Sequence, residues 1–598
     1  MSKKKSNSIP KKKANSHNNQ TRALCGVFAI LAVIAIACIC RVGYAAVKAR
    51  PNVQEFETKA AAIKEEMSGA QLNYTLDSET PNRVVFISVS DSSKPARVFT
   101  GTGDDLDQAW DKAISRAKSY LGLHPTEPKW VKGDVVIRSQ VNNSNGILNT
   151  IDDVGYGAFR CGIASDTDYS AALLETQVVA SDAISYTPAT LDWTKLINYA
   201  KKVGINLPKY IPEKMVLFQT AGWIVDNEDG MVVKLHSDGG AFGSRVVDAK
   251  QLTAEDIRDV CSKAMDYLAR TTDDNGKYQY IYYPGTDEVP DDYNLVRHAG
   301  TFWAMVEEYS VSKDPELGEA IKRAAQYLKN RAIPLTIGDG VVLIGEDDTN
   351  LAIGGCGLAL VGYTRFIDEF GEIDGITLDF CRELADGMIS LQEKDGSFQN
   401  ILNRDMTMGE KFVTPYYDGE VSFGLCRLYE LTKDRKYLDA AKLSAENYLN
   451  NDYLSYHDHW ASYFMNELTK YVDDPRYYEF AMRNVMEDQA TLTKTVFAPY
   501  QLEMAMACYE TYQRMMERGI EIDYDVSIDS LKSIIRRCVE NEMIGCLWPE
   551  YAMYMAKPTA AEGAFFWRDE MGLYVENDNT QHAVVGLIKY NKYIEDFN

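Results

Sequence analysis

The chain of 598 residues has little cysteine, eleven in all, and no Cys-x-x-Cys or Cys-His pair at ligand spacing. That excludes a disulfide scaffold and a cysteine-based zinc site. Histidine is scarcer, with seven residues. Long apolar runs are absent except for one, Ala23–Cys40, so nothing after it is a second candidate for crossing a bilayer. Basic charge is also short outside the N-terminus. Ten of the 63 Lys/Arg and none of the 87 Asp/Glu fall in residues 1–50, which leaves the remainder with 53 against 87, a net −34. A body that acidic repels nucleic acid, so no nucleic-acid partner is expected. What is present is a globular composition, 45% hydrophobic and 25% charged, which excludes wholesale disorder.

Lys3, Lys4, Lys5, Lys11, Lys12, Lys13 and Arg22 precede the apolar run of 18 residues. The basic excess on that side predicts a single-pass signal anchor, with 1–22 a cytoplasmic tail, 23–40 the transmembrane helix and the bulk extracytoplasmic. Two alternatives stand beside it. One is a cleaved signal peptide, which lacks a clear A-x-A site after the run. The other is a lipoprotein box at Ala35-Ile36-Ala37-Cys38, which lacks the usual Leu. Residues 41–80 read as a polar helical stalk.

Residues 81–250 read as an α+β domain. Val84-Val85-Phe86-Ile87-Ser88-Val89, Val135-Val136-Ile137, Val178-Val179 and Met215–Val225 are strand signals, while Asp105–Leu121 and Leu191–Val203 have helical spacing. This layout resembles the AMMECR-type α+β module, and no residue role is carried over from it.

After about 250 strand signals nearly vanish. Twelve helical segments follow, near 253–271, 294–310, 314–331, 351–368, 375–392, 419–432, 434–450, 459–471, 475–489, 499–517, 527–541 and 579–593. Their connections alternate, long after each odd helix and short after each even one. Even helices are richer in apolar and small residues, as in Leu351-Ala-Ile-Gly-Gly-Cys-Gly-Leu-Ala-Leu360, and odd helices are amphipathic. The pattern predicts six hairpins with buried inner and half-exposed outer helices. Together with the Asp395-Gly396-Ser397-Phe398 turn and the Glu420–Tyr437 stretch, it resembles the (α/α)6 toroid of the six-hairpin glycosidase-like superfamily over 251–598. The fold expected is thus multidomain: transmembrane helix, α+β domain and all-α toroid. The resemblance implies chemistry on carbohydrate.

If even helices are inner, their N-termini and the long loops share one face. Four of the seven histidines fall there, with aromatics and carboxylates that suit sugar faces and hydroxyls. The candidate acid/base residues are Asp418 or Glu420 with Asp458 or Asp348. The candidate substrate-binding residues are Arg297, His298, Tyr293, Tyr417, His459, Trp460, Gln581 and His582. A histidine could itself be the base if a proton is removed next to a carboxylate. Each acidic residue has a plain alternative as a helix N-cap, and Arg297 and His298 as packing. His457-x-His459 has the wrong spacing for two ligands on one helix face, so no metal and no cofactor are expected. The function expected is a membrane-anchored carbohydrate-active enzyme acting on an envelope or extracellular glycan, as a hydrolase or a uronate lyase or epimerase. A non-catalytic glycan-binding or envelope assembly protein is the alternative.

Overall fold

A computed structural model describes residues 51–143, 161–186, 189–227, 229–345, 350–409, 415–569 and 572–597. The apolar run 23–40 lies outside these residues. Among those described, no helix is long and apolar enough to cross a membrane.

The expected stalk is instead packed structure from residue 51. Helix α1 covers 51–69. Phe56, Ala60, Ile63 and Met67 recur every three or four residues, and all are buried. That stripe lies with α2 (Leu106–Leu123) in one apolar cluster against a sheet.

The α+β region contains strands β1 (Arg83–Ser90), β2 (Arg97–Gly103), β3 (Trp130–Asn143), β4 (Gly162–Ala164), β5 (Ala172–Leu173), a separate hairpin of β6 (Ile184–Tyr186) and β7 (Ala189–Leu191), then β8 (Lys214–Val225) and β9 (Val233–Lys234). The antiparallel sheet runs β2-β1-β3-β8-β4-β5, with β9 also on β8. Alternation along β1 divides its two faces. Val85, Ile87 and Val89 meet α1 and α2, whereas Val84 and Phe86 join the main core. Val178-Val179, expected as strand, lies in helix α3 (Glu175–Ala180). There the Gln177 side chain accepts from the Leu174 N–H and starts a turn that two β-branched residues cannot override. Helix α4 (Trp193–Val203) is capped by Asp192 and ends at Gly204.

The remaining helices are α5 (Ala254–Arg270), α6 (Leu295–Ser312), α7 (Pro315–Lys329), α8 (Ile353–Phe370), α9 (Leu378–Ser390), α10 (Pro415–Thr432), α11 (Arg435–Asn450), α12 (His459–Leu468), α13 (Pro475–Met486), α14 (Gln489–Lys494), α15 (Tyr500–Arg518), α16 (Ile528–Met543), α17 (Pro549–Ala552) and α18 (Asn577–Lys592). Helices α6, α8, α10, α12, α15 and α18 each pack on two neighbours, and α18 closes the ring on α6. Helices α5, α7, α9, α11, α13 and α16 surround them. This is the (α/α)6 toroid. Its inner members are buried around most of their circumference, as along Ile353–Thr364 of α8, while α7 buries one stripe through Leu317, Ile321, Ala324 and Leu328. Short helices α14 and α17 lie in connections and are too brief for a periodic signal. So are strands β10 (Ile281–Tyr282), β11 (Ala332–Pro334), β12 (Val341–Leu343), β13 (Asn350–Ala352), β14 (Ile401–Asn403), β15 (Phe566–Asp569) and β16 (Gly572–Glu576). The second sheet face docks on the toroid, where Tyr199 donates to the Tyr554 carbonyl at 2.8 Å and Ser88 meets the Tyr554 hydroxyl at 2.7 Å.

Four long connections press a turn glycine, Gly276, Gly340, Gly396 or Gly563, onto the next outer helix. At Gly396 φ is +96°, and a Cβ would fall 2.1 Å from the Leu443 carbonyl oxygen of α11. Neither the left-handed backbone nor that contact tolerates a side chain. Gly396→Ala should therefore lose more than about 2 kcal/mol in urea unfolding, whereas Gly519→Ala, with φ +63° and open space around it, should lose about 1 kcal/mol. Equal losses would contradict the packing argument.

Candidate active site

The N-terminal ends of the inner helices surround a cavity of about 550 Å3. Arg297 enters it from α6, Tyr416, Tyr417 and Glu420 from α10, and His459 and Trp460 from α12. Tyr500 and His582 enter from α15 and α18, and Asp458 lies at the start of α12. Hairpin β15–β16 adds Trp567 and Tyr574, which are paired across the strands, and Glu576.

Glu420 is buried, and glycine makes its place. A Cβ on Gly354 of α8 would fall 1.9 Å from Glu420 Oε2. That oxygen is buried without a hydrogen-bond partner. Burial pushes the carboxyl well above the usual range, while Arg297 opposes the shift and Asp458 adds to it.

Two histidines meet in the cavity. The rings of His459 and His582 lie edge to face, 5.0 Å apart. His459 Nδ1 is 3.4 Å from Asp458 Oδ1, while Asp458 Oδ2 caps α12 by accepting from the Ala461 N–H at 2.8 Å. His459 Nε2 is buried without a partner, and its ring lies against Trp460 and Tyr500. His582 Nδ1 is 2.7 Å from Oε2 of Glu503, a fully buried residue of α15, and 3.3 Å from the Gln581 amide nitrogen. Burial pushes Glu503 up to about 8, against the pull of His459, and lowers His582 to about 4. Both shifts favour a neutral pair over a buried ion pair. On the other side Arg297 meets Asp578 at 2.9 Å and Glu576 at 3.9 Å. Burial and the neighbouring Asp578 raise Glu576 to about 7.

Arg297, Tyr417, Glu420, Asp458, His459, Trp460 and His582 thus share the cavity. Other candidates lie elsewhere. His298 is fully buried beneath it, bonded to the Tyr293 hydroxyl and the Ala324 carbonyl and stacked on Tyr327, and Tyr293 is part of the same packing. One helical step beyond Arg297 turns the side chain from the cavity to the outer layer. Asp418 is likewise turned away. It accepts from Asn400 at 3.0 Å, Tyr453 at 3.2 Å and the Phe398 N–H at 3.3 Å, in a neighbouring pocket. Gln581 packs on Gly300 and reaches His582 without lining the cavity. Asp348 lies outside the described residues.

Glu503 was not among the sequence candidates, although its place one turn into an even helix marked it as inward-facing. Trp567, Tyr574 and Glu576 were missed because 542–578 read as loop. The alternation Phe566-Trp567-Arg568 against Leu573-Tyr574-Val575 was the available hairpin signal. No metal was expected. Among the described residues, His459, Glu503 and His582 each place a ligand atom within 4.8 Å of the others, so this trio is the set able to hold a divalent cation.

No family model matches the sequence, and no curated protein matches it. Solved structures do. Cellobiose 2-epimerase from Bacillus thermoamylovorans aligns over 57% of this chain and 98% of its own, at 11% identity and TM-score 0.44. D-mannose isomerase aligns over 57% and 98%, at 14% identity and TM-score 0.43. A GH76 α-mannanase from Bacteroides thetaiotaomicron aligns over 57% and 97%, at 13% identity and TM-score 0.41.

The raised carboxyl of Glu420 has a stability consequence. Its proton affinity is higher folded than unfolded, so its contribution is full below the unfolded value and is lost as pH rises through the folded one. Glu420→Gln should leave the melting temperature near wild type at pH 5 and raise it by several degrees at pH 8. Parallel curves for the two proteins would show that Glu420 is not held protonated.

Proposed function

We propose that the protein is a carbohydrate-active enzyme that moves a proton on a sugar carbon next to a carbonyl, as an epimerase or aldose–ketose isomerase. The observation that carries this reading is the His459–Glu503–His582 constellation. Asp458 Oδ1 lies 3.4 Å from His459 Nδ1 without hydrogen-bonding to it, so a neutral His459 has one ring nitrogen with a lone pair to act as base. Glu503 sets the opposite state. When the Glu503–His582 pair holds two protons, one bridges Nδ1 and Oε2 and the other is on Nε2, whichever atom holds the bridging proton. One imidazole is then a base and the other an acid.

In this mechanism the unprotonated ring nitrogen of His459 takes the proton from the carbon beside the carbonyl. The electron pair moves onto the carbonyl oxygen, giving an enediolate. His582 Nε2–H supplies a proton, and return of hydrogen to the opposite face inverts the carbon. Arg297 and Asp578 hold sugar hydroxyls, and Trp460, Trp567 and Tyr416 supply flat apolar faces. The proposal includes an N-terminal membrane anchor at 23–40 and an extracytoplasmic toroid, supported by the basic residues before that run.

A second reading is hydrolysis, with Glu420 as general acid and Asp458 as base, favoured by the raised Glu420 carboxyl. One assay separates the two. Fragment 51–598 is incubated in D2O with a panel of aldoses, uronates and β-1,4 disaccharides and followed by proton NMR. Loss of the C2 or C5 hydrogen signal with retained glycosidic bonds supports proton transfer. New reducing ends without exchange support hydrolysis.

The pH dependence follows from Glu503. As pH rises through about 8, Glu503 loses its proton, the carboxylate takes Nδ1–H from His582, and Nε2 ceases to be an acid. Turnover should fall on that limb. In Glu503→Gln the amide can still donate to Nδ1, so turnover at pH 7 should stay within about tenfold while the alkaline fall disappears. An unchanged alkaline fall in the variant would remove Glu503 from this role.

A further inference from the structure

His457 lines the central cavity beside Asp458, and neither the proton-transfer groups nor the cap of α12 makes use of it. Its backbone is the first sign of a special place. It ends the short helical turn Leu454–Tyr456 with φ +45° and ψ +52°, the left-handed conformation. A side chain carries a steric cost there that glycine does not, and glycine or asparagine is the usual residue at the end of such a turn. The second sign is the ring. Its Nδ1 lies 2.9 Å from the carbonyl oxygen of Asn484, near the C-terminal end of α13. A carbonyl oxygen only accepts, so Nδ1 carries hydrogen and, in the neutral ring, Nε2 carries the lone pair. The partner is itself held fast. Asn484 is fully buried, and its Nδ2 donates to the Asp458 carbonyl and to Ser462 Oγ, each at 2.8 Å. The residue that orients the His457 ring is thus tied to the helix that carries His459.

Nε2 is left over from this arrangement. Among the described residues nothing hydrogen-bonds to it, and it is not enclosed by the protein. Acceptors nearby are committed elsewhere. Asp458 Oδ2 caps α12, and Asp578 and Glu576 face Arg297. An imidazole lone pair on the wall of a cavity suits a neutral donor such as a sugar hydroxyl, and offers nothing to an anion.

We infer that His457 Nε2 accepts a hydrogen bond from one hydroxyl of the substrate and thereby selects which sugars are held for reaction. The inference rests on the carbohydrate reading of the cavity. It adds a specificity contact outside the proton-transfer pair, made by a residue whose ring is aimed from the outer layer of the toroid.

The test uses the full chain and the sugar of the D2O panel that exchanges fastest, together with its singly deoxygenated analogues. In the wild-type protein one deoxy sugar should have a kcat/KM about tenfold or more below the parent. In His457→Gly the kcat/KM of the parent should fall by about tenfold, and the preference over that deoxy sugar should shrink to about twofold or less. Glycine also relieves the left-handed backbone, so the melting temperature should stay within a few degrees of wild type. If the ring serves only to cap α13, His457→Gly lowers the melting temperature and leaves the deoxy preference as it was, and that result overturns the inference. His457→Asn, which also tolerates the left-handed backbone, repeats the measurement should the glycine variant fail to fold. Exchange by the wild type with the preference intact in the folded variant removes this inference alone. Absence of exchange by the wild type on every sugar of the panel removes the proposed function and this inference with it.

Discussion

The hydrogen bond between Glu503 and His582 is the interaction on which the proposed chemistry depends. It crosses between α15 and α18, where burial drives the carboxyl up and the imidazole down. A buried ion pair would be costly there, and a shared proton is not. The consequence passes through the ring to Nε2. His459 stands 5.0 Å from His582, beside a carboxylate whose other oxygen caps the helix that carries it.

That arrangement exists because the inner helices close tightly at their N-terminal ends. Small residues make the closure possible. Gly354 gives up its side chain to the Glu420 carboxyl, Gly419 admits Trp460, and Gly300 admits Gln581. Each contact brings a functional group inward and strips its water. The burial that perturbs Glu420, Glu503 and His582 is therefore a property of ring packing and not of any single loop. The outer layer fixes the ring through turns pressed onto the next helix, and the sheet domain docks against one side through Tyr554.

Much of the architecture could be read in the sequence, because twelve amphipathic or apolar segments with alternating connection lengths carry a periodic signal. The segments too short for periodicity were not legible. Hairpin β15–β16, which supplies Trp567, Tyr574 and Glu576, is one case, and the helical turn at Val178-Val179 is another. At the site, composition pointed to the face where the cavity lies, since histidines, aromatics and acids concentrate there. Direction within a helical turn was harder. Arg297 and His298 are adjacent, yet one enters the cavity and the other is locked under Tyr293 and Tyr327. Asp418 and Glu420 separate in the same way. Glu503 stands at the opening of an inner helix in the sequence but was given no role there, because its role is relational and only the fold brings α15 between α12 and α18.

The measurement closest to the central claim is the protonation of the two rings. Long-range proton–nitrogen NMR of fragment 51–598 labelled at histidine nitrogen, assigned with His459→Gln and His582→Gln, reads each ring nitrogen directly. At pH 7 the account predicts hydrogen on Nε2 of His582. It also predicts that His582 moves to the Nδ1–H form as pH passes about 8. A bare Nε2 on His582 at pH 7, or no change of its tautomer across pH 8, would contradict it.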